Sequence, residues 1–326
     1  PEVEFYDTEL IHPDKQTRAI AADLVSVGIS VTSLLFDQKL EVDRVVIRNT
    51  SIEIRQLEDG QWWIQGSLLD ELPKARASGS QQLGDMEVVG EDIEILFLQP
   101  GDERPHFFRV PNVLVSIDEH RIALDADIRL PDDLGRGINM AATRVLHLPE
   151  DQRIWDVSVE ADNIELPGWA ELHPALEGRV LSGGGDIDVS FAVTGKDVSH
   201  ATLELDLEEV SLTEGHVFDL TGRFELDRSF DGWLVAAEDF RIATEDHEWP
   251  ESSLRAEANT AADGEIAVLS ARATYVNLDD SVLLLPILPE KQRDFLRDLS
   301  LSGEVRDLEI TVSEIVAEVP YFDITV

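Results

Sequence analysis

Histidines and carboxylates are the side chains of this chain that could perform acid–base or metal chemistry, but their spacing points to neither. No two of the eight histidines are close enough in sequence to form a metal-binding pair on one helix. With 67 Asp and Glu residues, neighbours such as Asp279 and Asp280 arise by chance and do not indicate a catalytic pair. The sequence contains no GxSxG, P-loop or GxGxxG motif and no cysteine. We therefore expect no catalytic residue, no metal, no cofactor and no enzymatic activity.

Two further groups of residues resemble ligand sites, but simpler explanations fit them better. Residues 183–188, Gly-Gly-Gly-Asp-Ile-Asp, resemble one calcium-binding glycine–aspartate turn. Calcium β-rolls need tandem copies of that turn, so this single copy predicts a plain turn before a strand. The six tryptophans could form a sugar platform. Their positions at strand starts and beside Pro or Gly favour structural packing instead.

The charge of the chain is negative along its whole length. There are 26 basic and 67 acidic residues, so the formal net charge is −41. Without a basic stripe to meet phosphates, binding to DNA or RNA is not expected. Only five of the basic residues are Lys, and this acid-rich, Lys-poor balance is typical of a protein from a salty habitat.

The elements that must position any functional residues are strands that alternate apolar and charged residues. In residues 121–130, Ile122, Leu124, Ala126 and Ile128 alternate with charged or small residues. Successive side chains of a strand point to opposite faces, so such a segment has one apolar face and one polar face. Further strands predicted in this way include residues 45–47, 51–56, 93–98, 112–117, 186–194, 202–210, 219–227, 232–237 and 240–243.

These strands predict an all-β fold with a few short helices, built as an elongated, curved antiparallel sheet of repeated strand modules. Short helices are expected within residues 166–176 and 283–299, and a third, looser one within 132–145. Residues 73–84, rich in Ser, Gly, Ala and Gln, are the expected flexible joint between an N-terminal strand segment, 1–72, and its continuation, 85–326. No run of about 18 apolar residues occurs. The chain begins without Met and ends within an alternating segment, so we expect a piece of a longer protein.

Three kinds of cover are possible for the apolar faces: a second sheet, closure into a barrel, or an apolar ligand on an open sheet. Burial of apolar surface is favourable by about 25 cal/mol per Å², so these faces cannot stay in water. The predicted helices are too few and too interrupted by proline to cover them. Periodicity alone leaves the choice between a sandwich and a ligand groove open.

Several segments resemble the AsmA-like superfamily of envelope proteins. Residues 40–54 followed by Glu-Asp-Gly-Gln-Trp-Trp-Ile-Gln-Gly at 58–66 resemble the start of those proteins, where a strand pair leads to an Asp-Gly turn, a Trp and a Gly. Residues 231–233, 249–254, 285–289 and 301–308 resemble the YhdP branch. The resemblance implies the periplasmic portion of a Gram-negative, inner-membrane-anchored protein, with membrane contact made outside this chain. It also implies a hydrophobic β-groove that conducts phospholipid acyl chains between the inner and outer membranes.

The candidate groove lining follows from the resemblance together with the alternation. It comprises Ile93, Ile95, Phe97, Val113, Val115, Ile117, Ile122, Leu124, Ile128, Ile187, Val189, Phe191, Leu203, Leu205, Leu207, Phe224 and Leu226. The sequence indicates no protein partner. One alternative is a structural or adhesion β-sandwich of the cell envelope that binds a protein or glycan, with these residues in a closed core. Another is a carbohydrate-active enzyme, which would need two converging carboxylates beside an exposed Trp.

The charge balance yields a first prediction, on salt. Raising NaCl from 0.1 M to 1 M shortens the Debye length from about 10 Å to about 3 Å, which screens repulsion among the carboxylates. We expect the urea midpoint of unfolding, followed by circular dichroism, to rise with NaCl over this range. A midpoint that is indifferent to salt would remove the salty-habitat interpretation.

Overall fold

The structure is a computed structural model, and its described elements are β-strands and one short helix. It describes residues 2–11, 18–31, 35, 41–57, 61–65, 67–68, 85–100, 105–146, 154–173, 176, 178–194, 197–213, 216–229, 232–260, 266–280, 283, 302–313 and 321–325. Within these residues the strands are β1 (Glu2–Ile11), β2 (Arg18–Ile29), β3 (Val42–Gln56), β4 (Trp62–Ile64), β5 (Ser67–Leu68), β6 (Met86–Leu98), β7 (His106–Ile117), β8 (Arg121–Arg129), β9 (Gly135–Val145), β10 (Ile154–Glu165), β11 (Ser182–Thr194), β12 (Asp197–Thr213), β13 (His216–Ser229), β14 (Gly232–Thr244), β15 (Ser252–Thr260), β16 (Ile266–Asn277), β17 (Glu304–Ser313) and β18 (Tyr321–Thr325). The prediction of a mainly antiparallel all-β fold is confirmed.

The chain forms two compact units. Unit 1 comprises Pro1–Asp132 and Arg136–Val159, and unit 2 comprises Asp133–Gly135 and Glu160–Val326. Strand β10 contributes residues to both. The predicted joint at 73–84 lies outside the described residues, and β3 and β6, on either side of it in sequence, pair with each other in unit 1.

Unit 1 is a ladder with one parallel step. Antiparallel pairs join β1 to β2 and β2 to β3, and further antiparallel pairs run from β6 through β7 and β8 to β9. The parallel step joins β3 to β6 from Arg44↔Glu87 to Arg55↔Leu98. The short β4–β5 hairpin pairs with the end of β3. A parallel pair needs a crossover, which here spans the chain between β3 and β6.

Unit 2 contains an antiparallel meander. Each strand from β11 to β18 pairs with the next one in sequence. Strands that follow one another through short connections favour this antiparallel order. The described strands of each unit therefore belong to one ladder, and no described strand remains to form a second sheet over either face.

The helix α1 (Leu166–Glu171) lies in unit 2 and is shorter than the predicted 166–176. Trp169 anchors it by donating its indole N–H to the carbonyl oxygen of Leu134 at 2.7 Å, and Leu134 is fully buried. Gly168 is needed at this contact, since a Cβ there would stand 2.0 Å from the Asp133 carbonyl oxygen. In the described part of the chain, no helix is long and apolar enough to span a membrane.

The other two helix predictions fare differently. The helix predicted within 132–145 is wrong, because Gly135–Val145 is strand β9, whose Ile138, Met140 and Ala142 lie on one face opposite β8. Of the helix predicted within 283–299, only Leu283 is among the described residues, and it is buried.

A left-handed residue interrupts the pleat of many strands. Within the described strands a residue other than glycine has φ between 48° and 53° at Asp7, Asn49, Asp92, Asn163, Glu209, Asp239 and Asp307. At Glu209 the register shows the consequence, because two β12 residues oppose one β13 residue between the pairs Leu207↔Leu220 and Val210↔Phe218. Such a bulge bends the strand and shifts the side-chain alternation by one position.

The shift keeps apolar residues on one face of strands that are too long for a single alternation. In β12 the apolar positions run Leu203, Leu205, Leu207 and then Val210, so the parity changes at Glu208 and Glu209. The same change occurs in β3 at residues 48–49 and in β14 at 238–239. The sequence-based prediction split these two strands into 45–47 with 51–56 and 232–237 with 240–243, because strict alternation fails at the bulge.

Carboxylates of the neighbouring strand bind two of these bulges. Asp219 Oδ1 accepts the backbone N–H of Glu209 at 2.9 Å, and Asp186 Oδ1 accepts that of Asn163 at 2.8 Å. The extra residue of a bulge is left out of the strand ladder. These side chains therefore give the left-out N–H groups a charged acceptor, which is stronger than a neutral one.

The bulge at Glu209 yields a second prediction. Glu209→Val should lower the free energy of unfolding by about 1–3 kcal/mol, because a β-branched residue is strained at positive φ. Glu209→Gly should change it by less than about 1 kcal/mol, since glycine adopts this conformation freely. Urea unfolding followed by circular dichroism measures both.

The adjacent Glu208 is the matched control, because it is exposed and has ordinary φ. Glu208→Val should change the free energy by about 0.5 kcal/mol or less. Equal losses for Glu208→Val and Glu209→Val would show that the left-handed backbone is not what fixes the residue type.

Candidate functional site

The apolar face of unit 1 is continuous across seven strands. One row of directly opposed residues runs Val3, Val27, Val45, Val88, Val115, Leu124 and Ala142, from β1 to β9. Directly opposed residues share a face. The nine candidate residues of this unit all lie on that face: Ile93, Ile95, Phe97, Val113, Val115, Ile117, Ile122, Leu124 and Ile128.

The glycine at position 90 lets side chains of this face pack tightly. A Cβ at Gly90 would lie 2.4 Å from Ile93 Cδ1 and 2.6 Å from Val113 Cγ1, so both side chains occupy the space above the glycine. Further along the same strands, Phe97 and Phe108 meet edge to face with ring centroids 6.3 Å apart. Ile93 and Val113 therefore pack together above Gly90, and Phe97 packs against a ring of the neighbouring strand.

Unit 2 has a corresponding face. A row runs Val189, Leu203, Phe224, Ala237, Leu254, Ala273 and Leu308, from β11 to β17. All eight candidate residues of this unit lie on the same face as that row: Ile187, Val189, Phe191, Leu203, Leu205, Leu207, Phe224 and Leu226. Towards β15 and β16 the lining shrinks to Ala256, Ala258, Ala271 and Ala273, which leaves more room above the sheet.

The exposure of these residues separates an open face from a closed core. Of the seventeen candidates only Ile93 and Leu207 are buried, at 8% and 6% exposure, and the others are half-buried. A closed sandwich would bury such residues almost completely. Among the described residues, no pairing joins the first strand of either ladder to its last, so barrel closure does not supply the cover. Most of the candidates are thus only partly shielded by neighbouring side chains, and among the described strands none forms a second layer over them.

Sequence reasoning missed much of the lining. It omitted residues on strands it did not predict, such as Val3 and Phe5 of β1, and the residues on the far side of each bulge. Unit 2 adds Val235, Leu254, Leu308 and Ile310. A search for two alternating runs of opposite parity, separated by a polar pair ending in Asn, Asp or Glu, would have found the bulged strands.

The opposite face of unit 2 is charged. Arg223 lies between Glu204 and Glu225, at 3.1 and 3.4 Å, and Arg272 pairs with Glu309 at 2.8 Å. The exposed fraction of these side chains is 37% to 71%, so each pair contributes little to stability. The two faces of the sheet therefore differ sharply in polarity.

One end of the apolar face in unit 2 is closed by aromatic rings. Phe224, Phe240, Trp249 and Tyr275 meet edge to face in sequence, with centroids 5.7, 5.9 and 5.4 Å apart. Trp249, Tyr275 and the nearby Ile242 are buried. Burial raises the pKa of Tyr275, and the charges of Glu304 and Asp280 raise it further, so the phenol stays neutral at neutral pH.

A buried polar network holds Trp249 in place. The Trp249 indole N–H donates to Asp280 Oδ2 at 2.6 Å, and His247 Nε2 lies 2.7 Å from the same oxygen. Asn277 Nδ2 lies 2.8 Å from His247 Nε2. Trp249 and Trp169 thus both use their indole N–H groups within the fold, as expected of tryptophans that serve packing.

Comparison with known proteins finds one match. A family model described as YhdP protein matches residues 1–324, which covers nearly all of both units. No curated protein and no solved structure matches the chain.

The network yields a third prediction. Trp249→Phe should lower the free energy of unfolding by about 1.5–3 kcal/mol, because it removes a hydrogen bond to a buried carboxylate. The control is Trp233→Phe, which weakens the stack of Arg228 over the Trp233 ring at 5.1 Å and should therefore cost no more than about 0.5–1 kcal/mol. Thermal unfolding of both variants measures the difference. A smaller loss for Trp249→Phe than for Trp233→Phe would contradict the anchoring role of Asp280.

Proposed function

Because the chain belongs to the YhdP family, an AsmA-like family of bacterial envelope proteins, we propose that it binds phospholipids by their acyl chains along its apolar faces. In this proposal the faces conduct the lipid between the inner and outer membranes. The chain would be the periplasmic portion of the protein, and membrane contact would be made by parts outside it. No catalytic step is required, so we propose a binding and conduit role.

The observation that supports the proposal most is the half-buried lining of both units. An uncovered face of Ile, Leu, Val and Phe is unfavourable in water, whereas each buried methylene of an acyl chain contributes about 0.8 kcal/mol. Lipid tails would therefore supply the cover that no described strand supplies. The face spans seven opposed residues in each unit, so contact with a tail would extend across many strands.

The chemistry of the lining suits movement as well as binding. Contacts between aliphatic groups are non-directional, so a tail could slide from one row to the next without breaking specific bonds. The alanines of β15 and β16 would leave space for a second tail or a bend. The charged opposite face would keep the protein in solution while the apolar face is loaded.

The sandwich alternative receives less support. It requires the candidate residues to form a closed core, whereas fifteen of the seventeen are half-buried in their own units. A carbohydrate-active enzyme would need an exposed Trp beside paired carboxylates, and Trp249 is instead buried and bonded within the fold.

A charge placed on the lining tests the proposal. Leu205 is half-buried and lies opposite Gly222, so Leu205→Glu should fold. It should weaken binding of a fluorescent phospholipid about tenfold or more, because a carboxylate would have to lose its water beside the acyl chain. Mass spectrometry of organic extracts should detect phospholipid bound to the purified wild type and less bound to the variant.

The matched control is Thr202→Glu, which adds the same charge to the opposite face of the same strand. It should leave lipid binding and the unfolding temperature unchanged. If Leu205→Glu unfolds while Thr202→Glu does not, the core interpretation is correct. Wild-type protein that neither carries nor binds phospholipid would refute the conduit.

A further inference from the structure

One cation lies on the apolar face of unit 1. Arg144 of β9 is directly opposite Ile122 of β8, which is opposite Ile117 of β7. Along β9 it continues the column formed by Ile138, Met140 and Ala142. Arg144 therefore ends a row of aliphatic side chains at the margin of the face.

The surroundings of Arg144 leave part of its guanidinium without a protein partner. Its Cζ lies 5.6 Å from the centroid of the Trp155 ring, which fixes the plane of the group by stacking. Its Nε is buried and has no hydrogen-bond partner within the described part of the chain. A buried donor without an acceptor is unfavourable unless a ligand supplies one.

Several other arginines of the described part are paired with carboxylates. Arg48 pairs with Glu91, Arg223 with Glu204 and Arg272 with Glu309. No described carboxylate lies within ion-pair distance of Arg144, although the chain has 67 acidic residues. An arginine without a carboxylate partner is available to an external anion.

We propose that Arg144, stacked on Trp155, binds the phosphate group of a lipid whose acyl chains lie on the apolar face of unit 1. The fork of a guanidinium matches two phosphate oxygens, and its charge-assisted hydrogen bonds strengthen beside apolar surface. Ile117 and Ile122 lie next to it to receive the start of a tail. The inference rests on the proposed function and adds to it a preference for phosphate-bearing lipids.

The test compares two lipids that differ only in the phosphate. Fluorescent phosphatidic acid and diacylglycerol with identical acyl chains are titrated against the purified chain. Wild type should bind the phospholipid about tenfold more tightly or more, the effect of one hydrogen-bonded charge pair. Arg144→Met should remove this preference and leave diacylglycerol binding unchanged.

The matched control is Arg129→Met, which removes the same charge from the opposite face of the adjacent strand β8. It should leave the preference intact. Arg144→Lys, which keeps the charge without the planar stack, should retain an intermediate preference. If Arg144→Met does not fold, the ratio of the phosphatidic acid affinity to the diacylglycerol affinity is compared between the wild type and Arg144→Lys. A lower ratio in Arg144→Lys supports the proposal, and an equal ratio contradicts it.

Inorganic phosphate distinguishes a lipid phosphate from the free ion. Isothermal titration of phosphate alone should show binding at least about tenfold weaker than that of the phospholipid, because the ion lacks acyl contacts. Equal affinity for the ion would overturn the lipid assignment. Equal affinity of the wild type for the two lipids would also overturn the assignment. An equal loss of the preference for phosphatidic acid in Arg144→Met and Arg129→Met would do the same. Wild type that binds neither lipid would instead refute the proposed function itself.

Discussion

The left-handed bulge is the constraint on which the rest of the structure depends. Side chains of a strand point alternately to its two faces. A long strand whose apolar residues change from odd to even positions would therefore turn some of them away from the apolar face. At Glu209 one extra residue shifts the alternation by one position, so Val210 of β12 lies on the same apolar face as Leu207. A left-handed residue occurs at seven positions of the described strands, and the parity changes keep most apolar residues of each unit on one face.

Some of the many acidic residues have a structural role at these left-handed positions. Left-handed backbone favours Asn and Asp among residues with a side chain, and six of the seven left-handed strand residues are of these types. Only Glu209 departs from this preference. The carboxylates of Asp186 and Asp219 satisfy the N–H groups that two bulges leave out of the ladder. Part of the acidity is therefore structural, and the remainder lies on the solvated face.

The alternation was sufficient to predict strands and the shared face of all seventeen candidates, since each lies within one run of constant parity. It was not sufficient to join 45–47 to 51–56, because the left-handed Asn49 lies between them. Strand β9 was assigned to a helix since its Ala and Met residues are also good helix formers. The parallel pairing of β3 with β6 joins residues far apart in sequence, which no local pattern encodes. The role of Arg144 was likewise hidden, because only the pairing with Ile122 assigns it to the apolar face.

One end of the apolar face in unit 2 is a closed core. There the chain buries Trp249 and Ile242 under edge-to-face rings and satisfies the indole through Asp280. The same strands β13 and β14 carry both this closed core and the half-buried residues Leu226 and Val235. A sequence able to build a dry, hydrogen-bonded core at one end of these strands has the means to close the rest. The half-buried rows of the described strands are therefore a property of the fold that its sequence maintains, as the proposed binding of an apolar ligand would require.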